Sequence, residues 1–106
     1  MLFTRTPSIT AEQACAAVAE RSLVLVDVRQ PAERRRGRVP GSVHIPLTEL
    51  GDRLHELDRT GQVAFLCHSG ARSSRATRIA IKAGVDAVNV RGGMMAWNRA
   101  GLPVTR

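Results

Sequence analysis

Two apolar runs, "LVLVDV" at 23–28, interrupted only by Asp27, and "VAFLC" at 63–67, constrain this chain more than any other feature. A half-exposed strand alternates apolar and polar residues. A run without alternation fits a strand covered on both faces, as in parallel sheets. Helical spacing occupies the segments between and after the runs. Strands alternating with helices imply βαβ units, and so an α/β fold on a mainly parallel sheet.

Local signals supply the other elements. "SITAEQACAAVAE" opens on Thr10 with Gln13 three residues later, a capping-box pattern. Ala11, Ala14, Cys15 and Val18 then recur at helical spacing, and Cys15 reads as a small packed side chain on that stripe. "QPAERRRG" reads as one helical turn closed by Gly37, and "SVHIP" as a short strand ended by Pro46. "TELGDRLHELDRTG" reads as a helix with Leu50, Leu54 and Leu57 on one face and Gly61 as its stop, although Gly51 weakens its start. Ala76, Ile79, Ala80 and Ala83 form one face of the next helix, Arg75, Arg78 and Lys82 the other, and Gly84 closes it. "AVNV" is a last short strand, and "GGMMAWNRAGLP" a tight turn, a short helix and a glycine stop. With 106 residues and no linker or repeat, a single domain over 1–106 is expected.

The formal charge is +7, carried by 15 arginines and one lysine, Lys82. Positive potential favours anionic substrates or partners. Most of the arginines are scattered, however, and read as plain surface cations, apart from "ERRRGR" at 33–38. Phe3, Phe65 and Trp97 are the only aromatic residues, too few for broad base stacking, and no nucleic-acid motif accompanies the arginines. Nucleic acid is therefore not an expected partner. No apolar run approaches the ~20 residues of a membrane span, and "MLFTRTPSIT" lacks the apolar core of a signal peptide. A cytoplasmic location follows as an expectation, with Cys15 and Cys67 as free thiols. Two cysteines suit neither a disulfide framework nor a metal site, so no metal or cofactor is expected.

Cys67 is the residue on which function turns. It ends a buried strand, and the residues after it open a helix. Ligands of open α/β sheets bind at such strand ends. In "HSGA", Gly70 permits a tight backbone path, so successive amides can point inward as an anion nest at a helix N-terminus. A thiol placed there is readily converted to a nucleophilic thiolate.

"CHSGARS" resembles the active-site loop of rhodanese-like sulfurtransferases, in which Cys, Gly, Arg and Ser recur at this spacing. "DVRQPAERRRGRVPGSVHIP" and "VRGGMMAWNRAGLPV", with Gly92, Gly93, Trp97, Gly101 and Pro103, are similar to two further signatures of that family, in the same order. The resemblance implies a five-stranded, mostly parallel sheet flanked by helices on both faces. Three positions depart from the family pattern: Arg34 stands where an aromatic is usual, Gly37-Arg38-Val39 replaces Gly-His-Ile, and His44 stands where Asn is common. These departures bear on acceptor and partner preference.

The resemblance further implies a thiosulfate sulfurtransferase. The Cys67 thiolate takes the outer sulfur of a small anionic donor such as thiosulfate, becomes a persulfide, and passes the sulfur to a thiol or cyanide. His68, Ser69, Gly70, Ala71, Arg72 and Ser73 form the binding loop, with His68 only tuning the pocket. Arg72 either braces the loop, through Glu33 or Asp27, or meets the donor's sulfite group; bracing is favoured because Arg72 enters the helix as the loop closes. Arg75 divides evenly between attracting substrate and plain surface. Asp27 and Arg29 are structural in the family reading. Trp97 is expected in the core or pocket wall, Met94 and Met95 in packing or the pocket rim, and His44 and His55 at ordinary polar positions. Protein-to-protein persulfide relay remains an alternative role. Phosphatase or arsenate-reductase chemistry is disfavoured, because four residues rather than five separate Cys67 from Arg72.

Overall fold

The computed structural model describes residues 5–106; residues 1–4, which include Phe3, lie outside the described residues. Its strands are β1 (Ser8–Ile9), β2 (Leu23–Asp27), β3 (Val43–His44), β4 (Gln62–Leu66) and β5 (Ala87–Val90). They form one sheet in the order β1-β5-β4-β2-β3, and every neighbouring pair is parallel.

Side-chain alternation along the buried strands divides the core in two. Val26 and Val28, Val63, Phe65 and Cys67, and Ala87 point to one face. There they meet Ala76 and Ala80 of α4 (Ala71–Lys82) and Leu50 of α3 (Leu50–Arg53). Leu25, Ala64, Leu66, Val88 and Val90 point to the other, against Ala11 and Ala14 of α1 (Ala11–Ala19) and Met94 and Trp97 of α5 (Gly93–Arg99). Burial on both faces is why these strands read as apolar runs without alternation. Cys15 packs at the edge of the second cluster, and the Trp97 indole N–H donates to the Pro103 carbonyl at 2.9 Å.

The Thr10–Gln13 capping box at the start of α1 is present in both directions, at 3.0 and 2.9 Å. Two elements differ from expectation. β1 has only two residues, too short for a periodic pattern. It is defined by its neighbour, through the Asn89 amide on the Pro7 carbonyl and the Arg91 amide on the Ile9 carbonyl, at 2.8 and 2.9 Å. The helix expected across 48–61 is broken into a 3-10 turn (Leu47–Glu49), α3 and a second 3-10 turn (Leu54–Glu56). Leu50 and Leu57 are buried as their spacing requires. The Asp58 carboxylate, however, accepts from the Thr60 amide and hydroxyl at 2.8 and 2.6 Å, a local turn that ends the helical path before Gly61.

The strand order sets the position of the site. From β2 the chain moves outward to β3; from β4 it moves the opposite way to β5. β2 and β4 are neighbours, so a crevice opens between their carboxyl ends, the switch point at which open α/β sheets bind ligands. The segments that begin with Val28 and Cys67 meet there, joined by the Val28 amide on the Leu66 carbonyl at 2.9 Å.

Candidate active site

Cys67 follows β4 directly and is fully buried. Its sulfur accepts from the amides of Gly70 (3.1 Å) and Ser73 (3.3 Å) and lies 3.2 Å from the Ser73 hydroxyl. α4 begins at Ala71 behind Gly70, which sits at φ +106° and offers no side-chain cap. The first amides of a helix lack partners within it. Here the Cys67 sulfur takes the place of a capping oxygen for Ser73. Burial of the sulfur disfavours charge, but hydrogen bonds from the Ser73 hydroxyl and from the amides of Ser73, Gly70 and Ser69 outweigh it, so the thiol is held below its ordinary value. Of the loop residues, His68, Ser69 and Ala71 are exposed, Arg72 is half-buried, and Gly70 and Ser73 are buried.

Arg72 reaches across to the segment after β2, where its two terminal nitrogens grip both Glu33 oxygens at 2.7 and 2.8 Å. The hydrogen bond from Arg72 is the main reason the Glu33 carboxyl is lowered to about 2. Glu33 also accepts from the Gln30 amide at 3.0 Å, which fixes it in the first turn of α2 (Pro31–Arg35). Asp27, the other expected partner of Arg72, is engaged elsewhere. It is fully buried and binds the Arg29 side chain at 2.8–3.2 Å, the Arg29 amide at 3.0 Å and Arg34 at 3.3 Å. Arg34 also binds the Ser42 hydroxyl and carbonyl. The residue that stands in for an aromatic therefore ties α2 to the segment before β3.

α5 closes the loop from the far side. The Met94 amide donates to the Cys67 carbonyl (2.8 Å) and the Met95 amide to the His68 carbonyl (3.0 Å). Gly92 and Gly93 have φ +76° and +55°. A Cβ on Gly93 would overlap the Cys67 carbonyl oxygen and lie 2.6 Å from that of His68. Met94 is buried at this junction, whereas Met95 is 46% exposed. Asn89, on β5, was not among the candidates, yet it is buried beside the loop and contacts both Ser73 (2.5 Å) and the Gly70 carbonyl (3.4 Å). The one signal for it was a polar residue inside the apolar strand "AVNV".

His44 contacts the Arg29 carbonyl at 2.8 Å, and His55 and Arg75 are exposed. Beside the loop lies a cleft of about 700 Å³, lined by Arg29, Glu33, Arg36, His68, Met94, Asn98 and Arg106 among others. Among the described residues no group of three or more His, Cys, Asp or Glu could hold a metal ion, and no helix is long and apolar enough to cross a membrane.

The family model for the rhodanese-like domain matches residues 10–100. A sulfurtransferase of Allochromatium vinosum is 39% identical over 83 residues, covering 77% of this chain and 78% of its own. The crystal structure of a rhodanese-related protein from Thermoplasma volcanium superimposes with a TM-score of 0.88 at 31% identity, over 93% of this chain and 97% of that one. A thiosulfate sulfurtransferase from Pseudomonas aeruginosa gives a TM-score of 0.86 at 30% identity, over 95% of this chain but 20% of the other.

Proposed function

Because the chain belongs to the rhodanese-like domain family, we propose that it is a thiosulfate sulfurtransferase working through a Cys67 persulfide. Its relatives support a sulfur-transfer role. The observation that carries the finer reading is the Cys67 sulfur itself, enclosed by the Gly70 and Ser73 amides at 3.1 and 3.3 Å.

In the first half-reaction the Cys67 thiolate attacks the outer sulfur of thiosulfate. The sulfur–sulfur bond of the donor breaks, sulfite leaves with the bonding pair, and Cys67 holds a persulfide. In the second, a thiolate or cyanide attacks the terminal sulfur. The persulfide bond breaks and its electron pair returns to Cys67. A negative sulfur is present throughout, and fixed amide donors stabilise it without reorganising. No general base is needed once the thiol lies low.

Arg72 serves as a brace in this reading, because both its terminal nitrogens are held by Glu33. The basic cleft beside His68 suits an anionic donor or acceptor. The four residues between Cys67 and Arg72 leave a loop sized for one sulfur atom, and phosphate esters are not expected substrates.

Turnover of thiosulfate with cyanide, followed as thiocyanate, tests the proposal. Cys67→Ser should abolish it, and Cys15→Ser should retain most of it. Wild-type rates in Cys67→Ser would overturn the assignment.

A further inference from the structure

The Ser73 hydroxyl is placed between two acceptors but has one proton. Its oxygen is 3.2 Å from the Cys67 sulfur and 2.5 Å from the Asn89 side-chain oxygen. Ser73 has no exposed surface and Asn89 is 9% exposed, so water does not relieve the competition. The orientation of Asn89 follows from its other contact. The Gly70 carbonyl can only accept, so it takes the Asn89 amide NH₂ at 3.4 Å and leaves the Asn89 oxygen facing Ser73.

We propose that Asn89 is a positioning residue that sets the protonation of Cys67 by competing with its sulfur for the single Ser73 proton. With Cys67 as the thiol, Ser73 donates to Asn89 and accepts the thiol proton, and every group is satisfied. With Cys67 as the thiolate or persulfide anion, the Ser73 hydroxyl turns to the sulfur. The Asn89 oxygen is then left against a serine lone pair in a buried site, an arrangement that costs free energy. Asn89 therefore restrains ionisation, while the Gly70 and Ser73 amides promote it. A restrained thiolate is a better attacking sulfur than a fully acidic one, because thiol nucleophilicity falls as the pKa falls. The inference rests on Cys67 as the sulfur-transfer nucleophile, but its test does not require sulfur transfer.

The readout is the rate of Cys67 alkylation by iodoacetamide against pH, in a Cys15→Ser background. Asn89→Leu keeps the branched shape of the side chain and removes the competing oxygen; Asn89→Val, smaller and suited to the strand, repeats the test if the bulkier Leu crowds the loop. The thiol pKa should fall by about one unit, roughly tenfold in thiolate fraction at fixed pH. Ser73→Ala should raise it, and adding Asn89→Leu to Ser73→Ala should change it little. A rise in Asn89→Leu would mean that Asn89 merely braces the loop. An equal fall in the Ser73→Ala background would mean that it does not act through the hydroxyl. Either result overturns the proposal. Loss of sulfur transfer with these pKa changes intact would instead bear on the proposed function.

Discussion

At the scale of single residues, the candidate site is a sulfur that accepts the hydrogen bonds of a helix end. Cys67 caps α4 and Arg72 ties the loop to Glu33. Lysine cannot reproduce the two-pronged grip of Arg72. Arg72→Lys should therefore loosen the amides, raise the thiol towards its free value of ~8.5, and lower kcat and alkylation rate together. A raised KM with an unchanged thiol would instead indicate direct donor binding. Acid tests the same tie. The Glu33 carboxyl is lowered from 4.5 to about 2 in the folded protein. Its contribution to stability is thus fully present above 4.5 and lost as pH falls through about 2. The stability difference between wild type and Glu33→Gln should shrink across that window, modestly because the pair is partly exposed. Cys67 and Arg72 were legible because their spacing lies within one loop. The choice of Glu33 over Asp27 was not, because it depends on the path of the chain after β2, which folds Arg29 and Arg34 back onto Asp27.

At the scale of elements, the loop is clamped between two helix starts. α4 supplies donors to the sulfur, and α5 supplies donors to the carbonyls of Cys67 and His68. Gly93 makes the second contact possible, by its positive φ and its lack of a side chain. Gly93→Ala should destabilise the fold by about 2 kcal/mol or more, since an alanine in the left-handed region is strained and its methyl would meet backbone oxygens. A shift in the denaturant midpoint at constant m measures it. The Gly-Gly pair stood out in the sequence, but its partner did not, since the contact spans more than twenty residues of chain. The strands β2, β4 and β5 and the helices α1 and α4 were readable from strong patterns. The broken helix after β3 was not, because its leucine spacing is helical while the Asp58–Thr60 turn that ends it lies beyond the pattern.

At the scale of the whole molecule, charge is unevenly placed along the sheet. The segment that follows β2 carries Arg29, Arg34, Arg35, Arg36 and Arg38 against Glu33, and the loop and first turn after β4 add Arg72 and Arg75. The cluster at 33–38, which already stood apart from the scattered arginines in the sequence, thus shares an end of the sheet with Cys67, and Arg29, Arg36 and Arg106 line the cleft beside His68. Positive potential there should steer anionic donors. kcat/KM for thiosulfate should fall several-fold as salt rises from ~0.01 to ~0.15 M, where the screening length drops from ~30 to ~8 Å. A flat salt profile would remove charge steering from the account. The central claim, that Cys67 carries the transferred sulfur, is read most directly from intact mass. After incubation with thiosulfate, the protein should gain one sulfur atom and lose it on adding cyanide. Cys15→Ser should behave the same way and Cys67→Ser should gain nothing. A wild-type protein that gains no sulfur, or a Cys67→Ser variant that still gains and releases one, would contradict the account.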